Sequence, residues 1–552
     1  CGFEVIEEKD IDNSLFFVVK KVCEPAYDLN PTYGPFIRLK RIGKNGKIIR
    51  VFKMRTMHPY AEYLQDYVYK MNNLSNGGKF KNDFRISNAG KLMRIFWLDE
   101  LPMLINLIKG DMKLVGVRPI SKHYFELYDK KLQEKRYPYK YELDKVAPDH
   151  PVVIVCTVHK KIVNSCALRL AEINKNTVNP PGSIIHKNPD SDEPTGELSE
   201  CRELLPITNY THDQIVNSIT NIAYDYWLKN GFTSVHSFCN GAHIKAFQEV
   251  VSQRLIPLRI NVVLYDESNS TKLLDSAINL GISSGFGNNW LRLGGAKFTI
   301  DGAFMGLSAA TYNLYLSNND NKNYGILKLE NQSYLNKLCI NVINNRFDLY
   351  LHAFGDKAQD MAINAIEATA SSNITNQRCR IEHFGNILTE SHRIIRAQSS
   401  GIIPVTTIHW LYSFGDFLDQ YLGKDRALNS FCLKSMMDAG LNVADCSDTF
   451  GAEPMSINPF FNIWCAVNRK TYYGQVLNIE EAISVYEAIK LYTKNAAFAG
   501  HEEDIKGSIQ YGKLADMIVI DKDILTTDQN NIKDIKVLMS IINGEIVYNS
   551  IT

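Results

Sequence analysis

Leu349-Tyr-Leu-His352 is a short apolar run that stops on a histidine, and its form is repeated along most of the chain. Comparable runs stand at Val152–Val158, Thr233–Val235, Leu258–Leu264, Gly295–Ile300, Arg380–His383, Ile402–Thr406 and Asn442–Ala444, with helical patterns between them. Strand-length segments that alternate with helices predict parallel βα units, and a (β/α) barrel is the expected closure.

The polar residues that end these runs are informative: Lys297, His352, His383 and Asp448. In a barrel the C-terminal ends of the strands converge on one mouth, where catalytic groups sit. A lysine, two histidines and an aspartate could bind a divalent metal there if the lysine were carboxylated to become an oxygen ligand. Each residue also has a structural explanation. A histidine closing a strand is often a satisfied core residue, a lysine after Gly-Gly can snorkel to solvent, and Asp448 before Thr449 can begin a turn or cap a helix. Four together are harder to dismiss.

The 552 residues carry a formal charge of +1, with 45% hydrophobic and 22% charged residues, which excludes disordered and collagenous classes. That charge conceals two halves. Residues 1–140 hold 26 Lys+Arg against 16 Asp+Glu, and residues 141–552 hold 35 against 44, so two modules with different partners are expected. No apolar run is long enough for a transmembrane helix. The eleven cysteines include no C-x-x-C pair, which argues against a disulfide framework and fits a reducing compartment. The start at Cys1, without Met or a secretory signal, is read as that of a fragment.

In the basic module, two apolar-basic runs flank Gly43-Lys-Asn-Gly46, so a β-hairpin is predicted over 36–55. Its cations Arg38, Lys40, Lys53 and Arg55 suit phosphate or form a solvated face. Asp99-Glu100 precedes Pro102 and apolar positions 101, 104, 105 and 108 at helical spacing; the pair could favour the helix dipole, or act as nucleophile and holder of a hard cation. With Phe52-Lys-Met-Arg-Thr-Met57, Leu98-Asp-Glu-Leu-Pro102, Lys109-Gly-Asp-Met112 and Leu114-Val-Gly-Val-Arg-Pro119 in this order, residues 20–136 resemble the bacterial sugar transferases, the monotopic phosphoglycosyl transferases. The resemblance implies that Asp99 attacks the β-phosphate of a UDP-sugar, that Glu100 binds Mg²⁺, and that Arg55 and Arg118 bind the anionic substrate. It implies transfer to polyprenyl phosphate in lipid-linked glycan initiation, hence a cytoplasmic protein with peripheral contact at the inner face of the membrane. The module is expected to lack the family's membrane anchor.

The basic text ends near Arg136, and no Gly/Ser- or Pro-rich linker marks the join. Beyond it, Ala147-Pro-Asp-His-Pro-Val152, Val163-Asn-Ser-Cys-Ala-Leu168, Gly196-Glu-Leu198, Leu293-Gly-Gly-Ala-Lys297, Asp301-Gly302, Leu351-His-Ala-Phe-Gly-Asp356, Arg380-Ile-Glu-His383, Cys446-Ser-Asp448 and the segment 506–516 resemble the YtcJ-like branch of the amidohydrolase superfamily. The resemblance implies a metal-dependent hydrolase of C–N bonds in small amide-type substrates. Its Lys297 would be the carboxylated lysine, His352 and His383 zinc ligands, and Asp448 the metal-site aspartate that shuttles the proton. His159 and His409 fall in loops read as facing substrate. The family's first barrel strand ends in His-x-His, and this sequence contains no such triplet. The expected fold is therefore an α/β, incomplete TIM-like barrel with a small C-terminal β-sandwich, preceded by a small α/β transferase module. The boundaries are drawn at 1–140, 141–505 and 506–552.

Gly507-Ser-Ile-Gln-Tyr-Gly512-Lys513 has Walker A spacing, but Leu514 replaces the Ser/Thr and a strand follows, so it is read as a turn. No nucleic-acid-binding face is found. Three readings follow: a hydrolase fused to a transferase module, a transferase whose barrel is a passenger, and a catalytically silent chimera of two truncated enzymes.

Overall fold

The computed structural model describes residues 3–11, 14–22, 35–42, 48–58, 61, 85–95, 102, 137–156, 159–201, 204–205, 210–316, 323–371, 376–448 and 455–551. The chain divides into two compact units, Cys1–Arg136 and Tyr137–Thr552.

In the first unit, β1 (Phe3–Ile11) pairs antiparallel with β2 (Ser14–Lys21). The predicted hairpin forms: β3 (Phe36–Ile42) pairs with β4 (Ile48–Met54) from Phe36↔Met54 to Ile42↔Ile48. Arg38 lies opposite Phe52 and stacks on its ring, 5.2 Å from the centroid. A helix spans Asn88–Ile95, and the Ser87 hydroxyl accepts the Gly90 N–H at 3.0 Å. Asp99, Glu100 and Arg118 lie outside the described residues.

The second unit opens with a four-stranded antiparallel sheet of β5 (Val153–Val155), β6 (Lys160–Val163), β7 (Ile184–Lys187) and β8 (Pro194–Ser199), in the order β5-β6-β8-β7. The run Val152–Val158, grouped with the barrel strands by its composition, thus belongs elsewhere. Antiparallel partners close in sequence claim it, and Val153, Ile154 and Val155 pair with Val163, Ile162 and Lys161. This sheet has its own small core, which includes Val163, Ala167, Leu168, Ile185 and Leu198.

The barrel sheet comprises β9 (Ser234–Cys239), β10 (Arg259–Tyr265), β11 (Leu291–Thr299), β12 (Asp348–His352), β13 (Cys379–Glu382), β14 (Ile403–Thr406) and β15 (Ala444–Asp445). These strands lie side by side in sequence order, all parallel. Strands β12, β13 and β14 are buried along their whole length, as expected when helices cover one face and the lumen the other. Asn240 and Asn331 cap two of the covering helices, Gly241–Ser252 and Gln332–Asn344, by accepting backbone N–H groups. Among the described residues no strand joins β9 to β15, so the sheet is an incomplete barrel with two edges, the architecture expected for a chain without the His-x-His strand.

Three antiparallel strands finish the unit: β16 (Met517–Ile520), β17 (Val537–Ile542) and β18 (Glu545–Asn549). Asn543-Gly544, at φ +56° and +81°, makes the β17–β18 turn, so the run Ile541–Val547 is a hairpin rather than one strand. The expected sandwich is a single described sheet, packed on the segment before β9: the Ser540 hydroxyl donates to the Leu228 carbonyl at 2.6 Å. Gly507 and Gly512 both adopt positive φ ahead of β16, consistent with turns and not a phosphate-cradling helix start.

Arg259 at the start of β10 reaches Asp516 just before β16, with Nε–Oδ2 at 2.6 Å and Nη2–Oδ1 at 2.9 Å, and both side chains are 3% exposed. Breaking a buried pair leaves its partner charge desolvated, so Arg259→Ala is expected to cost about 3–5 kcal/mol. Urea denaturation followed by tryptophan fluorescence checks this; a change below ~1 kcal/mol would show that water compensates Asp516.

Candidate functional site

The lumen is built by strand alternation. Arg380 and Glu382 of β13 point inward, and Arg380 stacks over the Tyr350 ring at 4.3 Å while pairing with Glu382 through Nε–Oε1 at 2.9 Å and Nη2–Oε2 at 3.1 Å. Its Nη1 also meets His236 Nδ1 of β9 at 3.0 Å. The glycines before Lys297 answer to crowding. A Cβ at Gly294 would fall 1.9 Å from Asn261 Oδ1, and one at Gly295 would fall 2.5 Å from the Tyr350 ring.

Lys297 is 8% exposed, and its Nζ lies 3.5 Å from the Phe238 ring centroid and 5.2 Å from that of Tyr265. Burial pushes its amine below the usual range, against the opposing pull of Glu382 and Asp448. The lysine therefore does not snorkel to solvent.

His352 and His383 end neighbouring strands with ring centroids 4.7 Å apart. His352 Nε2 lies 3.0 Å from the Gly302 carbonyl, and His383 Nδ1 lies 3.1 Å from Thr407 Oγ1. Those contacts leave His352 Nδ1 and His383 Nε2 as the nitrogens available to a ligand. Burial, reinforced by nearby basic groups, holds both rings well below the ordinary histidine range, so they are neutral imidazoles. His383 has φ +70°, which turns it back toward the mouth although it directly follows the inward Glu382. Asp448, at φ +35°, is half-buried; desolvation raises its carboxyl, opposed by Lys297 and His159. Backbone strain at two neighbouring mouth residues is a feature that clusters at functional sites.

Trp410 stacks on His383 at 5.0 Å and on Phe354 at 5.3 Å, giving the mouth an aromatic wall. Asp301 supports the floor: its carboxylate accepts N–H groups from Ala310, Phe354 and Gly355 at 2.8–2.9 Å, and burial pushes it up to about 8.

The structure thus brings Lys297, His352, His383 and Asp448 to one end of the barrel, and His159 joins them with its ring 5.8 Å from that of His352. His409 sits behind this group, fully buried, with Nε2 3.1 Å from the Ser447 carbonyl. Arg55 belongs to the first unit, at the end of β4, where its N–H donates to the Pro35 carbonyl at 2.6 Å. Glu382, Trp410 and Glu200 were not singled out by the sequence; Arg380 and Glu382, two apart on a strand, were the available signal.

Two neutral imidazoles, each with one nitrogen engaged, suit a single divalent ion. Among the described residues no three His, Cys, Asp or Glu side chains form a metal-holding cluster, so a third protein donor would have to be Lys297. Its depressed amine is the form that combines with CO₂ to give an anionic oxygen ligand. The donor set fits one ion, and without His-x-His it offers no second pair of imidazoles.

The fold is an incomplete, TIM-like α/β barrel with polar residues gathered at its strand ends. It is similar to an uncharacterized metal-dependent hydrolase from Pyrococcus furiosus with a TM-score of 0.54, 24% identity, and coverage of 71% of this chain and 76% of that one, a likeness that shows the fold. Residues 114–548 match the amidohydrolase family, and the chain belongs to that family, whose superfamily comprises metal-dependent hydrolases. Residues 15–149 match the bacterial sugar transferases. The chain is 29% identical over 426 residues to YtcJ of Bacillus subtilis (strain 168), named as an amidohydrolase, covering 74% of this chain and 76% of that protein. It is 26% identical to the N-substituted formamide deformylase of Arthrobacter pascens, covering 76% and 77%. Over 101 residues it is 38% identical to the galactosyl transferase CpsE of Streptococcus agalactiae, a stretch that spans 22% of that protein.

Burial pushes His409 down to about 4. A histidine held neutral contributes stability that is present above its unfolded pKa of about 6.5 and is lost as pH falls below it. Between pH 7.5 and 5, wild type is expected to lose about 2 kcal/mol more than His409→Gln, as read by paired urea titrations. An equal loss in both would show that His409 is already charged in the fold.

Proposed function

We propose that the barrel hydrolyses a C–N bond in a small amide-type substrate, with Lys297, His352 and His383 holding one divalent ion and Asp448 carrying the proton. The observation that carries this reading is the convergence of these groups from separate strand ends, with both imidazoles neutral. The amidohydrolase family supports C–N chemistry, and the formamide named for one relative suggests N-substituted formamides as the first substrates to try.

His352 Nδ1 and His383 Nε2 would hold the ion together with carboxylated Lys297. When bound, such an ion, zinc in this proposal, activates water and polarises the substrate carbonyl. Asp448 takes one proton from the attacking water. As the C–N bond breaks, its electron pair goes to nitrogen, and Asp448 returns the proton there, so that water is added across the bond with no net change in the enzyme. Burial raises the carboxyl of Asp448, opposed by Lys297 and His159, which suits a group that takes up and returns a proton. Trp410 and Phe354 shield the mouth beside His383 from water.

The purified full chain is expected to carry about one zinc, to lose it in His352→Ala and His383→Ala, and to hydrolyse an N-alkylformamide. Asp448→Asn is expected to keep the metal and lose about 10²–10⁴-fold in kcat. Elemental analysis and amine release check both; metal content that does not respond to either histidine would contradict the proposal.

A second reading rests on the match of residues 15–149 to sugar transferases. We propose that Asp99 attacks the β-phosphate of a UDP-sugar, releasing UMP and forming a phosphosugar ester that polyprenyl phosphate then collects at a membrane surface. Glu100 would bind Mg²⁺, and Arg55 and Arg118 the substrate's phosphates. Incubation with UDP-sugar and Mg²⁺ is expected to release UMP from wild type but not from Asp99→Ala; no release from wild type would exclude this activity.

A further inference from the structure

A cavity of about 510 Å³ opens between the segment that follows β11 and the covering helix Asp356–Ala368. Ala310, Tyr324, Leu327, Glu330, Lys357 and Met361 line it, whereas Lys297, His352, His383 and Asp448 do not. Its volume falls in the range of small-molecule sites, roughly 300–1,000 Å³.

The walls of this cavity are tied to one another through the backbone. Asp301, fully buried, accepts the Ala310 N–H at 2.8 Å and forms an antiparallel bridge with Leu327. The Ala310 carbonyl accepts the Lys357 N–H at 3.2 Å. Two glycines permit these approaches. A Cβ at Gly325, where φ is +77°, would fall 1.9 Å from the Ala309 carbonyl oxygen, and one at Gly355 would fall 2.0 Å from that of Ala310. Beside Leu327, Lys328 Nζ lies 3.4 Å from Glu200 Oε2, and Glu200 Oε1 stands 2.8 Å from His159 Nδ1. Glu200 is itself packed on Gly302, where a Cβ would fall 2.6 Å from Oε1. A site ordered in advance loses less binding free energy to ordering its walls.

The lining is chemically divided. Leu327 and the buried Met361 are apolar, and Lys357 and Glu330 carry opposite charges. Among the described residues, the Lys357 ammonium and the Glu330 carboxylate pair neither with each other nor with another side chain. Opposite charges that share a cavity without meeting suit a ligand that brings a complementary charge to each. The Tyr324 ring and the Met361 thioether add surfaces that favour an aromatic or other apolar group.

We propose that this cavity binds a free α-amino acid with an apolar side chain. Its carboxylate meets Lys357, its ammonium meets Glu330, and its side chain lies against Leu327 and Met361. The site is distinct from the strand-end group and stands independently of the hydrolase reading.

Calorimetric titration of the full chain with L-phenylalanine tests this, and one saturable site is expected. 3-Phenylpropanoate lacks the ammonium and phenethylamine lacks the carboxylate, so each should bind at least about 10-fold more weakly. Lys357→Met should weaken L-phenylalanine by about 10-fold and leave phenethylamine unchanged. Glu330→Gln should weaken L-phenylalanine to a similar extent and leave 3-phenylpropanoate unchanged. A cavity merely distorted by substitution would not give that crossed pattern, and Glu330 is exposed, so its variant keeps the fold. Absence of saturable binding, equal affinity for all three compounds, or equal weakening of all three by either variant would each overturn the proposal.

Discussion

A lysine amine removed from water inside a barrel is the constraint around which this site is arranged. Desolvating an ammonium costs several kcal/mol, so the group must be paired, neutral or chemically changed. Here Lys297 is pressed against the Phe238 ring and faces Glu382 and Asp448. Glu382 is in turn committed to Arg380 through two hydrogen bonds, so it cannot fully serve the lysine. The lumen thus weakens the amine's hold on its proton, and that chemistry is what carboxylation requires. The same desolvation keeps His352 and His383 neutral, as imidazole must be to bind a metal.

Two separately built layers meet at the mouth. The barrel supplies the residues proposed to hold the ion, each at a strand end. The antiparallel sheet supplies His159 and Glu200, and the small residue at 302 allows the two layers to approach. One backbone carbonyl, that of Gly302, then couples the packing of Glu200 to the orientation of His352.

The barrel strands were legible because buried parallel strands are continuous apolar runs, and a polar residue that ends one is conspicuous. Seven of the eight runs read from the sequence lie in the barrel sheet. Val152–Val158 did not, because composition carries no information on partners, and its partners were local and antiparallel. Lys297, His352 and His383 stand out in the sequence by position at the ends of these runs, and their reading as ligands comes from the family resemblance. Glu382 precedes His383 directly, and strict strand alternation would send consecutive residues to opposite faces. The left-handed backbone at His383 defeats that alternation, and no sequence pattern announces it. Glu200 and Trp410 were hidden for a different reason. Their roles depend on contacts across 41 residues to His159 and across 27 residues to His383, and long-range contacts leave no local period.

The state of Lys297 is the most direct test of this account. Carbon-13 NMR of the full chain equilibrated with ¹³C-bicarbonate and zinc should show one carbamate resonance that disappears in Lys297→Arg. No such resonance in wild type, or one that survives in Lys297→Arg, would contradict the claim that this buried amine becomes the oxygen donor of the site.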